Sequence, residues 1–357
     1  MSKKEDFGDD SDGKKASESR KLVKWGSSET LIMSLPRNWV KKFQLNKDSE
    51  VCIMENQDGS LLVSPLTLGT ERPRFESTIY FSADDIEDMD LVELEITVKY
   101  LDGNDVIIIE RKEGKGVDKF PTKFTLKVQE VVQSLLGLEI TSLLSTKIKI
   151  QDIMNIHETN VDVLVKIIAD TTVDLFQNTI DVVREGDYTS RIDSLRISNK
   201  QVRKYFLRIL RELRKGLLVP TNLARMGLSA QDTVDTAFYI TDISGVAADL
   251  EFAFNAMANK KKDPDKKVIA EVVVFMENVY QLFKKGVDSF LFKTKKDAVY
   301  VIKTAPSIEQ KKRDIENMID DLSATTPYTG YQILLDIMSK ILDHTISIAL
   351  ASCRRIM

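Results

Sequence analysis

Thiols and imidazoles are scarce in this chain, with two cysteines and two histidines in 357 residues. Cys52 falls on an expected strand and Cys353 at the far C-terminus. Their spacing suggests no zinc site, and two thiols make no disulfide framework. Nothing in the placement of His157 and His344 supports a metal or nucleophilic site. No apolar run approaches the roughly 18 residues of a bilayer span, so no membrane insertion is expected. No secretory signal is expected ahead of the first structured segment, and the natural compartment is the cytoplasm. The chain has no Gly-x-x-x-x-Gly-Lys-Ser/Thr loop and no Gly-x-Gly-x-x-Gly after a strand. No Ser or Cys lies in a nucleophile motif. The expectation is a protein that is not an enzyme.

What is present is ordinary for a globular chain: 43% hydrophobic and 30% charged residues, with a net charge of -4. The length allows two or three domains. Residues 1–18 are mostly Lys, Asp, Glu, Ser and Gly and read as a disordered tail. Immediately after them the charge changes sign. Arg20, Lys21, Lys24, Arg37, Lys41, Lys42 and Lys47 stand against only Glu29 and Asp48. Positive charge concentrated in one module of a slightly acidic chain is what contact with phosphates requires.

Within that module, apolar runs flank Gly26-Ser27-Ser28-Glu29, Pro36 opens a short helix, and Val51 to Met54 and Leu61-Leu62-Val63 read as strands around an Asp58-Gly59 turn. The order of these segments resembles the AbrB/SpoVT-type swapped-hairpin DNA-binding domain, here over residues 19–67. The resemblance implies two chains interlacing their hairpins as a homodimer. It also implies DNA contact through basic residues that fall, position by position, on Arg20, Lys21, Lys24 and Arg37. The chain departs from the family in carrying Asp48-Ser49 where Gly-Asp is usual.

Leu66 to Arg74 reads as a linker. Residues 73–154 read as a small α/β segment: a strand at 78–81, a helix from Ser82 to about Leu101, a buried strand at Val106–Ile109, a helix over 123–136 and a strand pair over 139–152 turning near Ser145. From Glu158 onward apolar residues recur at spacings of three and four. Helices are expected at about 158–185, 190–217, 229–260, 265–291, 295–322 and 327–355, punctuated by Gly186, Pro220 with Gly227, Asp263-Pro264 and Pro327. Six such helices fit two antiparallel three-helix bundles, 156–262 and 264–357. An internal repeat supports the split: Asp242-Ile243-Ser244-Gly245-Val246-Ala247-Ala248-Asp249 is echoed by Asp336-Ile337-Met338-Ser339-Lys340-Ile341-Leu342-Asp343. The expected fold class is therefore mainly α, with a small α/β segment and an N-terminal β hairpin domain ahead of the bundles.

Three stretches carry a second resemblance. They are Tyr100-Leu101-Asp102-Gly103-Asn104-Asp105-Val106-Ile107, then Leu136-Gly137-Leu138-Glu139 with a strand ending at Ile150-Gln151-Asp152, and Ser339 to Ala349 with Asp343-His344. In this order they are similar to the archaeal-type phosphate-uptake regulator (PhoU) family. The resemblance implies a metal cluster held by Glu/Asp-x-x-x-Asp pairs, whose carboxylates share one side of a helix. Here those pairs are eroded. Ser339 precedes Asp343, Gly245 precedes Asp249, and Gln201 and Arg203 stand where acids belong; only Glu316 and Asp320 keep the spacing. Glu316, Asp320, Asp343 and Asp249 are the residual metal candidates, and no cofactor is expected because the cluster reads as lost.

The expected helix 190–217 carries Lys200, Lys204, Arg208, Arg211 and Lys215 along one face and Val202, Phe206, Ile209 and Leu213 along another. Such a stripe could meet an acidic partner, a phosphate-bearing ligand or nucleic acid; it could equally pair with acids on a neighbouring element or be solvated. The leading expectation is a non-enzymatic phosphate-uptake regulator that binds DNA through its head, its helices acting on a phosphate transporter or signalling protein. The alternative is a helical adaptor that binds only protein.

Overall fold

The computed structural model of the chain describes residues 19–26, 30–55, 59–65, 75–82, 84–112, 119–154, 160–188, 191–218, 223, 226–260, 263–322 and 328–356. The expected tail 1–18, the linker 66–74 and His157 lie outside the described residues. The chain divides into two compact units, Met1–Arg72 and Pro73–Met357.

In the first unit β1 (Val23–Lys24) pairs antiparallel with β2 (Leu31–Ile32), and β3 (Val51–Glu55) with β4 (Leu61–Pro65). Between them runs α1 (Arg37–Lys42), for which Pro36 is the N-cap. Gln44 closes this helix at φ 52, in the left-handed region. A turn follows in which the Asp48 amide donates to Asn46 Oδ1 at 2.8 Å and the Asn46 amide to Ser49 Oγ at 2.9 Å. Asp48-Ser49 thus sits in a side-chain-tied turn. Among the residues of this unit whose side chains are described none is buried, and Leu22, Val23, Trp25, Leu31, Met33, Ile53 and Leu61 are exposed.

The second unit opens with β5 (Glu76–Phe81), α2 (Met89–Leu101), β6 (Val106–Arg111), α3 (Thr122–Ser134), β7 (Leu138–Leu143) and β8 (Lys147–Asp152). The sheet order is β5-β6-β8-β7, with β5 parallel to β6 and the other pairs antiparallel. The β-branched run of β6 lies inside the sheet, and Val106, Ile107 and Ile109 are buried. Phe81 meets Phe124 edge-on at 5.4 Å, and Phe120 stacks on Phe124 at 4.6 Å. Ser82 does not start α2, in correction of the expectation. Its amide takes Asp85 Oδ2 at 2.8 Å while Asp85's amide takes Ser82 Oγ, which closes a single turn. The helix proper begins after Asp88, whose carboxylate accepts from the amides of Asp90 and Leu91.

Six long helices follow: α4 (Val161–Glu185), α5 (Ile192–Leu218), α6 (Ala230–Ala258), α7 (Lys266–Leu291), α8 (Lys295–Leu322) and α9 (Thr329–Ile356). Asn160 caps α4, Ser229 and Asp232 form a capping box on α6, and Asp265 caps α7. Gly186 ends α4 at φ 76. The helices α4, α5 and α6 pack together, as do α7, α8 and α9, but α6 also packs along α9 and α4 along α7. One continuous apolar core, including Phe176, Leu250, Phe283, Phe290 and Ile341, runs through both sets. The chain is mainly helical, and its two helical triplets are fused rather than separate. Helix α5 also presents Leu207 to the apolar core of the sheet. That makes α5 the beam between the α/β segment and the helices.

Candidate functional site

The face that α5 turns to the sheet carries the basic stripe. Arg208 and Arg211 have side chains 0% exposed. Arg208 Nη1 donates to both oxygens of Asp152, at 3.0 and 2.9 Å, and its Nη2 lies 2.9 Å from Glu212 Oε1 one turn on. Arg211 Nη2 donates to Asp152 Oδ2 at 2.9 Å and Nη1 to the Tyr100 carbonyl at 2.5 Å; its guanidinium lies 4.9 Å above the Tyr100 ring. Lys215 Nζ donates to Asp105 Oδ1 at 2.5 Å. At the rim, Arg214 reaches the Leu101 carbonyl and Asp102, each at 3.0 Å. Burial works against the Arg208 charge, but Glu212 and Asp152 outweigh it and hold the guanidinium above its ordinary pKa. Burial likewise pushes the Tyr100 hydroxyl up, so it stays protonated and donates to the Leu136 carbonyl at 2.9 Å.

Two glycines make room for these cations. Gly137 sits at φ +91, and a Cβ there would lie 2.8 Å from Arg208 Nη1 and from Asp152 Oδ1. Gly103, at φ +84, faces the Lys215 stem at 3.4 Å. Tyr100, Asp102, Gly103, Asp105, Gly137 and Asp152 all belong to stretches that carry the family resemblance. Those stretches therefore converge on one buried ionic seam. Of the five residues expected as a partner face, Arg208, Arg211 and Lys215 are taken up inside the chain. Lys204 donates to the Gln133 carbonyl at 2.8 Å, and Lys200 is exposed.

The four residual metal candidates are not brought together. Asp249, on α6, lies beside Lys340 Nζ at 2.7 Å and His344 Nε2 at 3.4 Å, both on α9. Asp343 is exposed. Glu316 and Asp320 line an open cleft of about 610 Å³ with Arg313, Asp314 and Asp336, and Lys312 lies 3.3 Å from Glu316 and 2.7 Å from Asp336. Among the described residues no three His, Cys, Asp or Glu side chains are placed to hold a metal ion. The donor set that such a cluster would need does not fit here, because Lys340 and His344 lie against Asp249 and Lys312 against Glu316.

The groups around Asp249 form a second polar cluster, for which the repeat of Asp242 and Asp249 was the only sequence signal. His344 Nδ1 lies 2.8 Å from Asp242 Oδ1, and Ser347 Oγ donates to Asp242 Oδ2 at 2.6 Å. The ring rests against Gly245, where a Cβ would stand 2.8 Å from His344 Cε1. The absence of a side chain at Gly245 thus admits the imidazole. Hydrogen bonding to the carboxylates of Asp242, then Asp249, outweighs the burial that opposes charge and raises the His344 pKa to about 9. Burial pushes Asp249 up, but His344 and Lys340 together hold its carboxyl below the ordinary value.

Helices α7 and α8 border a further cleft of about 730 Å³, lined by Lys284, Lys285, Lys296 and Lys311 with Asp288, Asp297 and Tyr300. In the head, Arg20, Lys21, Lys24 and Arg37 are exposed, as are Lys41, Lys42 and Lys47. No protein-family model, no curated protein and no solved structure matches the chain.

Two outcomes follow from these clusters. Asp152→Ala leaves two buried guanidiniums without their shared acceptor and is expected to cost about 3–5 kcal/mol in denaturant unfolding; exposed Asp343→Ala is expected to change stability by under about 0.5 kcal/mol. The His344 contribution carries a definite sign. A folded pKa raised from 6.5 to about 9 means stabilisation fully present below pH 6.5 and lost as pH rises through 9. Thermal unfolding of the native chain should fall over that window more steeply than that of His344→Gln.

Proposed function

We propose that the chain is a non-enzymatic regulator of phosphate uptake whose N-terminal module dimerises and contacts DNA, with the helical unit as its sensing and adaptor part. The observation that carries this reading is the surface of the head. Seven basic residues and at least seven large apolar residues are exposed on a hairpin unit in which no residue with a described side chain is buried. So small a unit cannot bury enough apolar surface by itself, and two-stranded sheets are marginal in water. A second copy interlaced with the first covers the apolar side chains and leaves the cations outward. Asp48 is confined to the Asn46–Ser49 turn, which leaves Arg20, Lys21, Lys24 and Arg37 as the phosphate-facing set. On α5 the cations Arg208, Arg211 and Lys215 are internal, while Arg196, Lys200, Arg203 and Arg214 are exposed. The helical unit's lysine-lined cleft between α7 and α8 suits an anionic signal or an acidic partner.

Residues 19–67 alone are expected to sediment as a dimer when folded; a folded monomer at micromolar concentration contradicts the reading. For the full chain, each phosphate neutralised adds about -0.9 to the slope of log affinity against log salt. Lys24→Ala and Arg37→Ala should each flatten that slope by about 0.9 in fluorescence-anisotropy titrations with duplex DNA. An unchanged slope and affinity in both variants would leave the head as a dimerisation module and favour the protein-binding adaptor.

A further inference from the structure

One face of α6 carries no charge. Val234, Phe238, Thr241, Gly245, Ala248 and Phe252 recur at alternating steps of four and three, the a/d spacing of a helix seam. Five of them are exposed, with Val234, Phe238 and Phe252 at 49%, 54% and 57%. A core-facing stripe of this kind is common, but this one is turned to solvent except at Gly245, over which the His344 ring of α9 lies. Alongside it α9 presents Asp336, Lys340, Ser347, Leu350 and Arg354. The two helices are tied level for level by Asp249–Lys340, Asp242–Ser347 and Asp235–Arg354, so they form one continuous surface.

The order of sizes along the stripe is the informative part. Turned end for end against a copy of itself, it sets Val234 opposite Phe252, Phe238 opposite Ala248 and Thr241 opposite Gly245. The two outer pairs join a larger residue to a smaller one, the condition for interdigitated packing, and at the centre Thr241 meets the His344 ring that covers Gly245. The same two-fold operation on α9 sets Asp336 opposite Arg354, Lys340 opposite Leu350 and Asp343 opposite Ser347. Asp336 and Arg354 have side chains 70% and 52% exposed, so each can reach an opposite charge on the other copy while keeping its own partner, Lys312 or Asp235. A parallel arrangement would instead stack Phe238 on Phe238 and Arg354 on Arg354.

We propose that the α6–α9 face is a homotypic interface, in which α6 packs antiparallel against α6 of a second copy of this chain about a two-fold axis between Thr241 and Gly245. Such an interface is isologous, so one patch serves both copies. From Val234 to Phe252 the stripe runs about 27 Å at 1.5 Å per residue. Two helices about 9 Å apart give it a width of roughly 20 Å. The total buried area is then on the order of 1,000 Å², the lower end for a specific contact. This interface stands independently of the head and closes at high micromolar concentration or when another contact tethers two copies.

The test is photocrosslinking of the full chain with p-benzoylphenylalanine at position 238, in an equal mixture of ¹⁵N-labelled and unlabelled protein. The expected product joins position 238 of one isotopic copy to residues 245–252 of the other. Phe252→Asp, at a site already in solvent, should lower its yield at least about tenfold, the effect of roughly 1.4 kcal/mol in association. Arg354→Asp should lower it as well, and Asp336→Arg in the same chain should restore it. Crosslinks confined to one copy, crosslinks to position 238 of the other copy, crosslinks to any other surface, or none at all would overturn the proposal. Because the readout is position 238 and not oligomer size, it is decided separately from head dimerisation.

Discussion

Asp152 accepts two arginines from α5 in a place without solvent, and the joining of the α/β segment to the helices depends on it. Taking a carboxylate and two guanidiniums out of water costs several kcal/mol per ion unless the geometry returns it. Here the return comes from three hydrogen bonds to one carboxylate, from Glu212 beside Arg208, and from Tyr100, whose ring and carbonyl both face Arg211. An apolar joint of equal area could be stronger. An ionic one is more particular, because it accepts only the pairing in which Gly137 stands clear of Arg208. The short motifs around Tyr100, Gly137 and Asp152 are thereby explained as parts of one joint, though they lie on three separate segments.

The α6–α9 pair is the second axis of the molecule. Along it acids lie on α6 and bases on α9: Asp232 with Arg355, Asp235 with Arg354, Asp242 with His344, Asp249 with Lys340. Antiparallel packing lets a single-sign ladder on each helix pair at every level, which fuses the two helical triplets into one core. His344 and Gly245 occupy its centre. The acids of α6 are matched by cations of α9, so these polar groups serve to hold the two helices together.

Much of the fold was legible in the sequence because its signals are local. The helix borders followed Gly186, Gly227, Asp263-Pro264 and the three-four recurrence, and the buried strand at Val106–Ile109 followed from β-branching. The start of α2 was misplaced because Ser82 and Asp85 satisfy a one-turn cap as well as a long helix would. The destination of the basic stripe could not be read, since Lys200 to Lys215 look the same whether they face water or Asp105 and Asp152. What distinguishes the cases is tertiary: the acids come from strand ends 50 or more residues away in the chain. The pairing of Asp249 was hidden for the same reason. Its spacing to Asp242 fits a metal ligand or a helix-pairing acid, and only α9 decides between them.

The most direct measurement of the central claim is a double-mutant cycle between α5 and the sheet, using Arg211→Met, Asp152→Leu and the pair together in equilibrium unfolding. If the two side chains form the joint as described, the coupling should exceed about 1.5 kcal/mol, with the double variant more stable than the sum of the single losses implies. A coupling below about 0.5 kcal/mol, with additive losses, would mean that the seam does not hold α5 to the α/β segment and would contradict the account.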